Sequence, residues 1–450
     1  MKLLFLTPGT GSYYCGVCMR DNALAKQLCA MGHDAFLLPL YLPLTLEESA
    51  ASPGAPLFFG GLNVYLQQRF DWFRKAPRWV DGFVDHPSVL KLLGRFAGLA
   101  RGNDTGAMTV SMLQGEEGSQ NREIDKLVEW IRNGERPDAI WLSTGLLSGV
   151  ARRIQRETSV PVFCSLQGED SFLDGLPEPW SGEAWLEMGR RVGELAGVTA
   201  PSRFFGRLME RRLGLREDSV EVIPNGIGLE GYAPASSAPS PPTIGYLARF
   251  TPGKGLATVV DAFIALRRRG SVPNVRLRCA GTMIASDVPF LEQQKERLAE
   301  AGLLSEAEFL PSVSREEKIN FLRTLSVLSV PAAYGEAFGL YLLEAMACGV
   351  PLVQPDDAAF PEILENSGAG VIVKHNAPES FADAWEALLL DPARAAAFGR
   401  AGLAAVQNNY SMARMAERFL EISARGFAAG SAAESALPAG GAVPSSSHGL

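Results

Sequence analysis

The sequence predicts an α/β protein made of two Rossmann-like domains. Three observations lead there. Short apolar strands alternate with helix-length segments. The alternation stops at the Pro/Ser/Ala-rich stretch 232–242 and then restarts. The chain has 450 residues, enough for two or three domains of ordinary size. Strands that alternate with helices imply parallel sheets covered on both faces.

In chain order, "KLLFLT" (2–7) is the first strand. Its apolar run breaks at Thr7-Pro8-Gly9, too soon for the apolar core of a signal peptide. A Gly-rich loop leads to a helix around 17–31 that Gly32 closes, and "DAFLLPL" (34–40) is the second strand. Further strands are "AIWLS" (139–143), "VPVFCSL" (160–166) and "GVTA" (197–200). Ser202 is a good N-cap for a helix that runs to Leu213, with Gly214 after it. "VEVIP" (220–224) ends this half. Residues 1–235 are the expected first domain, and 232–242 is the expected linker.

The second domain is expected over 243–409. It opens with the strand "TIGYLA" (243–248) and a helix around 256–269, followed by the strand "VRLRCAG" (275–281). "SREE" (314–317) is a capping box that opens another helix. The strand "SVLSVP" (326–331), a helix at 339–348 and the strand "PLVQP" (351–355) complete the reading. "YSMARMAERFLEISAR" (410–425) is a final amphipathic helix, and the low-complexity segment 426–450 reads as disordered.

The bulk numbers narrow the function. A net charge of −8 argues against a general nucleic-acid binder, because phosphate backbones attract basic surfaces. Four histidines make a histidine-rich metal centre a poor expectation, and no metal site is expected. The six cysteines (15, 18, 29, 164, 279, 348) are scattered and mostly lie in apolar runs, which fits buried thiols in a reducing cytoplasm. No run approaches a membrane span.

In open α/β sheets ligands bind outside the carboxyl ends of the strands. Three loops in the second half carry suitable chemistry. "ARFTPGKG" (248–255) sets Arg249 and Lys254 beside Gly253 and Gly255, a pattern suited to clamping a diphosphate. It lacks the Walker spacing. "YGEAFGLYLLEAMACGVP" (334–351) puts Glu336 just before a helix that begins near Gly339, and Glu344 inside it. That helix start offers free N–H groups to an anion, and Gly339 allows close backbone approach. Glu344 lies roughly 7–8 Å further along the axis. Two carboxylates so spaced can accept hydrogen bonds from hydroxyls at different points of one ligand. "CAGTM" (279–283) turns at Gly281 after a strand.

Together Glu336-x7-Glu344, Arg249-x4-Lys254, "VIPNGI" (222–227) and "FPEIL" (360–364) resemble the nucleotide-sugar glycosyltransferases of the GT-B fold, especially retaining family four. The resemblance covers most of residues 1–425. It implies two Rossmann-like domains facing each other across a cleft, with the last helix crossing back to the first domain. The second domain would hold the donor, with Arg249 and Lys254 on the diphosphate and Glu344 on the ribose hydroxyls. Glu336 would contact the sugar, with the N–H groups of Phe338, Gly339 and Leu340 nearby. A retaining, metal-independent hexosyl transfer from a nucleotide diphosphate sugar, most simply a UDP-sugar, is the implied reaction, with no separate cofactor. Two alternatives remain on the same scaffold: a nucleotide-sugar epimerase, and a binding protein without catalysis. An NAD enzyme does not fit, because "PGTGSYYCG" lacks the G-x-G-x-x-G spacing.

In the first half, "TPGTGSYYCGVCMRDN" (7–22) would lie over the diphosphate in the resembled family, with Gly9 and Gly11 permitting tight backbone there. Cys15 and Cys18 could pack, act in redox chemistry or form half a zinc site, and packing is the expectation. "SLQGEDSFL" (165–173) ends a strand. Where many members of the family carry a histidine, this chain has Gln167, followed by Gly168, Glu169 and Asp170. The acids either orient an acceptor hydroxyl or cap the following loop. The acceptor itself stays open: a sugar, a small molecule or a lipid-linked hydroxyl. Residues 72–101 hold six Lys or Arg against two Asp, mixed with Trp72, Trp79 and Phe83. They could give a cytoplasmic protein a peripheral membrane contact. Arg203, Arg207 and Arg211 share one helix face and could add to it.

Overall fold

In the computed structural model, residues 1–9, 16–46, 49–52, 102–134 and 136–435 are described. Gly11, Cys15 and the basic stretch 72–101 lie outside them.

Two six-stranded parallel sheets organise the chain. The first contains β1 (Lys2–Thr7), β2 (Asp34–Pro39), β3 (Ala139–Leu142), β4 (Val162–Ser165), β5 (Gly197–Ala200) and β6 (Val220–Val222). Its order is β2-β1-β3-β4-β5-β6. Leu3 is paired with Ala35 on one side and Ala139 on the other. The second sheet contains β7 (Thr243–Leu247), β8 (Arg276–Gly281), β9 (Ala307–Pro311), β10 (Val327–Leu328), β11 (Leu352–Pro355) and β12 (Gly370–Val373). Its order is β12-β11-β10-β7-β8-β9. β9 and β12 are not among the strands expected above. Both are edge strands with partly exposed patterns; β9 (AEFLP) is interrupted by an acid, whereas β12 (GVIV) is a short apolar run.

Strand order reverses between β1 and β3 in the first sheet and between β7 and β10 in the second. Crevices form outside the carboxyl ends of strands at such points. The reversal in the second sheet directs the loops 248–255 and 329–340 to one place.

Each sheet buries both faces. Leu4, Leu6, Ile140, Leu142 and Val162 pack against the helices Gly102–Gln114, Asn121–Asn133 and Trp180–Val192. Leu3, Phe5, Trp141 and Phe163 fill the opposite face with Met412, Met415, Phe419 and Ile422. Those last four belong to the helix Met412–Ser435, so the final helix does return to the first domain. Trp141 Nε1 donates to Ser423 Oγ at 2.9 Å beneath it.

This helix corrects the boundary set at 425. It continues through 426–435, a segment read from composition as disordered. Alanine is the strongest helix former, and Gly426 sits so close to Phe163 that a Cβ there would lie 2.3 Å from the ring. The outgoing and returning crossovers run side by side. Ile227 N donates to Tyr410 O, and Met412 N donates to Ile227 O, both at 3.0 Å.

Local signals hold where they were strongest. Ser202 Oγ accepts from Phe205 N, and Gly214 is left-handed at φ +65°. Ser314 and Glu317 complete their capping box. The helix Leu256–Arg269 has the expected bounds. Residues 233–242 contain no regular element. Among the described residues, no helix is long and apolar enough to cross a membrane.

Candidate active site

The loop after β7 and the segment between β10 and the helix Leu340–Ala347 meet at the second crevice. Gly255 is left-handed at φ +78°, and a Cβ there would lie 2.0 Å from Pro331 O. This close approach seats the lysine loop on the end of β10. Ala333 N donates to Gly253 O at 2.9 Å across the same seam.

Lys254 is thereby brought to Glu336, with Nζ 2.5 Å from Oε2. Its ammonium also lies 4.7 Å from the centre of the Tyr334 ring, a cation–π contact. Burial works against the charge on Lys254. The Glu336 carboxylate and Tyr334 more than offset it and hold the ammonium above the ordinary lysine range. Tyr341 donates its hydroxyl to the same Oε2 at 3.1 Å. Burial, and then Glu336, push that phenol well above its usual range, so it stays a donor.

Arg249 makes a two-point contact with Asp287, Nε to Oδ2 at 2.9 Å and a terminal nitrogen to Oδ1 at 3.0 Å. The hydrogen bonds from Arg249 hold the Asp287 carboxyl below its usual range against an opposing burial effect, and Ile284 N also donates to it. The Arg249 side chain is 44% exposed. Both sequence-predicted cations are therefore held by acids, Lys254 by the predicted Glu336 and Arg249 by Asp287, which sequence separation hid.

Gly339 is left-handed at φ +87° and opens the helix Leu340–Ala347. Phe338 is buried beneath it. Ala359 N donates to Glu336 O at 3.3 Å, and Ser202 Oγ of the first domain donates to Ala337 O at 2.8 Å. The peptide that carries Glu336 is thus pinned from both domains. Glu362, from "FPEIL", adds a second tie by accepting from Arg203 N and Phe204 N at the start of the helix Arg203–Leu213. Gly281 has a packing role: a Cβ there would lie 1.9 Å from Ala248 O.

Glu344 lies in that helix among fully buried Leu342, Leu343, Ala345 and Met346. It accepts from Tyr232 OH at 2.9 Å and pairs with Lys318 Nζ at 2.8 Å.

The first domain supplies the facing wall. Gly9 is left-handed at φ +76°, and a Cβ there would lie 1.7 Å from Leu42 O. Across the crevice, a Cβ on Gly16 would lie 3.6 Å from Leu340 Cδ1, so the helix starts at Gly16 and Leu340 face each other. Two helix N-termini meeting there favour an anion. Cys18 is buried next to Thr7 Oγ1 at 3.4 Å, in keeping with packing. Among the described residues no group of three or more His, Cys, Asp or Glu side chains gathers as a metal site would require.

Gln167 is engaged at both ends of its amide. Nε2 donates to Ser165 Oγ at 2.8 Å, and Oε1 accepts from Asn225 Nδ2 at 3.2 Å. Buried Arg20 joins this network through Ser165 and Asn225. Glu169 accepts from Thr144 Oγ1, Gly145 N, Gln167 N and Gly168 N, all between 2.7 and 3.0 Å. It acts as the loop cap, the plainer of its two readings. Asp170 accepts from backbone N–H groups of its own turn, so it too takes part in the cap. Burial raises its carboxyl, and its charge is felt at Tyr334. Tyr232, Asp287, Lys318 and Tyr341 are the site residues that sequence reasoning missed.

Two family models match the chain. The glycosyl transferase 4-like domain matches residues 19–226, and glycosyl transferases group 1 matches residues 233–404. D-inositol 3-phosphate glycosyltransferase of Nocardia farcinica is 29% identical over 257 residues, 53% of this chain and 56% of that protein. Alpha-maltose-1-phosphate synthase of Mycolicibacterium smegmatis is 28% identical over 276 residues, 54% of this chain and 69% of that protein. Phosphatidyl-myo-inositol mannosyltransferase of Mycobacterium tuberculosis is 30% identical over 238 residues, 51% of this chain and 59% of that protein. The chain thus spans about half to two-thirds of the length of these relatives. Among solved structures, sucrose-phosphate synthase of Thermosynechococcus elongatus superposes with TM-score 0.67 at 17% identity, covering 95% of this chain and 100% of that one. HepE of Anabaena, solved with UDP, gives TM-score 0.66 at 16% identity, covering 94% of this chain and 100% of that one. Both likenesses show the two-domain GT-B fold.

Proposed function

Since the chain belongs to the GT-B glycosyltransferases, with a 4-like first half and a group 1 second half, we propose that it transfers a sugar from a nucleotide diphosphate sugar to an acceptor hydroxyl. The observation that carries this is the convergence of Lys254, Glu336 and the Gly339 helix start at the reversal of strand order. A cation, a carboxylate and an anion-binding backbone within one crevice match the diphosphate and sugar of such a donor.

As the glycosidic bond breaks, negative charge gathers on the departing diphosphate. Lys254, Arg249 and the first-turn N–H groups of the helix Leu340–Ala347 are fixed in place to stabilise it, which is preorganised electrostatic catalysis. With the charge met by protein groups, the reaction needs no metal ion. Glu336, paired with Lys254 on one oxygen, receives a sugar hydroxyl on the other. The acceptor hydroxyl attacks from the face the diphosphate leaves and passes its proton to the departing phosphate oxygen, so the anomeric configuration is retained. In this reading Asp170 orients that hydroxyl from the first domain.

The relatives bear names of inositol 3-phosphate, maltose 1-phosphate and phosphatidylinositol chemistry. Inositol and sugar phosphates, together with phosphatidylinositol in vesicles, are therefore the first acceptors to try. The test is proton NMR of product formed from UDP-, GDP- and ADP-sugars with that panel, with and without EDTA. Transfer with retained anomeric configuration that survives EDTA supports the proposal. Donor interconversion without any acceptor would identify an epimerase instead.

A further inference from the structure

We infer that Lys318 and Tyr232 are positioning residues that fix the Glu344 carboxylate so that one oxygen faces the donor ribose. This rests on the cleft being a nucleotide-sugar site. Glu344 is the one acid in an otherwise apolar helix, and its side chain is only 15% exposed. Both of its donors engage the same oxygen. Tyr232 OH donates to Oε1 at 2.9 Å, and Lys318 Nζ lies 2.8 Å from Oε1. Oε1 is thus engaged twice, by a hydrogen bond and by an ion pair. No described residue bonds Oε2, and it is not sealed from solvent.

The last torsion of a glutamate is broad and roughly two-fold. An unrestrained Glu344 would offer either oxygen in a range of orientations. Two donors on Oε1 remove that freedom and leave Oε2 as the receiver. The donors are themselves held. Tyr232 N donates to Leu229 O at 3.1 Å, and the Arg315 guanidinium lies 5.2 Å from the Tyr232 ring centre. Burial and then the Glu344 charge keep the Tyr232 phenol protonated. Lys318 sits on the helix Arg315–Arg323, with its side chain 13% exposed. The ribose-facing acid is thus braced by a separate helix and by the first residue of the 232–242 linker.

A plain structural staple between the helices Arg315–Arg323 and Leu340–Ala347 would use the same ion pair. The two roles separate in one readout, the preference for ribose over deoxyribose. Calorimetry on the full chain compares UDP, GDP and ADP with their 2′-deoxy and 3′-deoxy forms. It is run for the parent, Lys318→Met, Tyr232→Phe and Lys318→Arg, with inorganic pyrophosphate as the ribose-free probe and a thermal melt for folding. The parent should prefer the ribose form of the nucleotide it binds by about tenfold or more, the worth of one hydrogen bond to a charged group. Lys318→Met and Tyr232→Phe should each cut that preference severalfold, Lys318→Arg should keep most of it, and pyrophosphate binding should not change. An unaltered preference in folded Lys318→Met and Tyr232→Phe overturns the inference. So does an equal loss for ribose and deoxyribose forms, which is the signature of a staple. A parent that binds nucleotide without ribose preference overturns the inference alone. A parent that binds none of the three overturns the nucleotide reading of the cleft, and the inference with it.

Discussion

Lys254 Nζ lies 2.5 Å from Glu336 Oε2, although 82 residues separate them in the chain. The proposed clamp cation and the proposed sugar-facing acid are thus paired with each other. Glu336→Gln keeps the size and the Tyr341 contact but removes the charge. It should lower the transfer rate by about 10²–10³, comparable to losing one preorganised transition-state contact, and also cost stability by leaving the Lys254 ammonium without its partner. Steady-state rates beside a thermal melt check this. A normal rate in the folded variant contradicts the role of Glu336.

Ser202 does two things at once. Its hydroxyl caps the helix Arg203–Leu213 and donates to Ala337 O beside Glu336. Ser202→Ala loses an N-cap, about 1 kcal/mol, and leaves a buried carbonyl without its donor, about 1–3 kcal/mol. Denaturant unfolding should show a loss of about 2 kcal/mol or more. A loss below about 0.5 kcal/mol would mean the interdomain bond contributes nothing, since replacing an N-cap alone costs that much.

Asp287 gives a pH prediction. Its folded-state carboxyl is depressed, chiefly by Arg249. Such a group stabilises the fold fully above the unfolded value of about 4, and loses that contribution as pH falls through the lower folded value. Asp287→Asn should therefore be less stable than the parent at pH 6, and the gap should close on acidification below about pH 4. Because Arg249 is 44% exposed, 1 M salt should narrow the gap. A gap independent of pH contradicts the pairing.

Gly255 and Gly214 are both left-handed, at φ +78° and +65°. They differ in surroundings. A Cβ on Gly255 meets Pro331 O at 2.0 Å, whereas nothing lies within 4 Å of one on Gly214. Gly214→Ala should cost only the backbone penalty of about 1–2 kcal/mol. Gly255→Ala adds overpacking of about 1–3 kcal/mol and should also weaken diphosphate binding by moving Lys254. Equal costs in chemical unfolding would contradict the close approach.

Much of this architecture was legible because its signals are local. Ser202, Gly214 and the Ser314–Glu317 box act within a turn of helix, and the apolar runs of β1, β4 and β7 are continuous. β9 escaped because an edge strand needs no continuous apolar run, whereas β12 is a short apolar run, GVIV, that the sequence does display. The helical stretch 426–435 escaped because its cause is partly tertiary: Gly426 lies against Phe163, in a strand far earlier in the chain. The site divides the same way. Arg249, Lys254, Glu336 and Glu344 stand in recognisable spacings. Their partners do not: Asp287 is 38 residues from Arg249, and Tyr232 is 112 residues from Glu344. Tyr232 was hidden at the start of a segment whose composition says linker. Glu169 stood between two roles until its four donors were seen.

Calorimetric titration of UDP, GDP and ADP into the parent and into Lys254→Ala tests the central claim most directly. The account predicts that the parent binds a nucleoside diphosphate selectively, and that Lys254→Ala weakens it by about tenfold or more, the loss of one charge-assisted contact. Equal affinity in the folded variant, or no binding of any of the three to the parent, would contradict it.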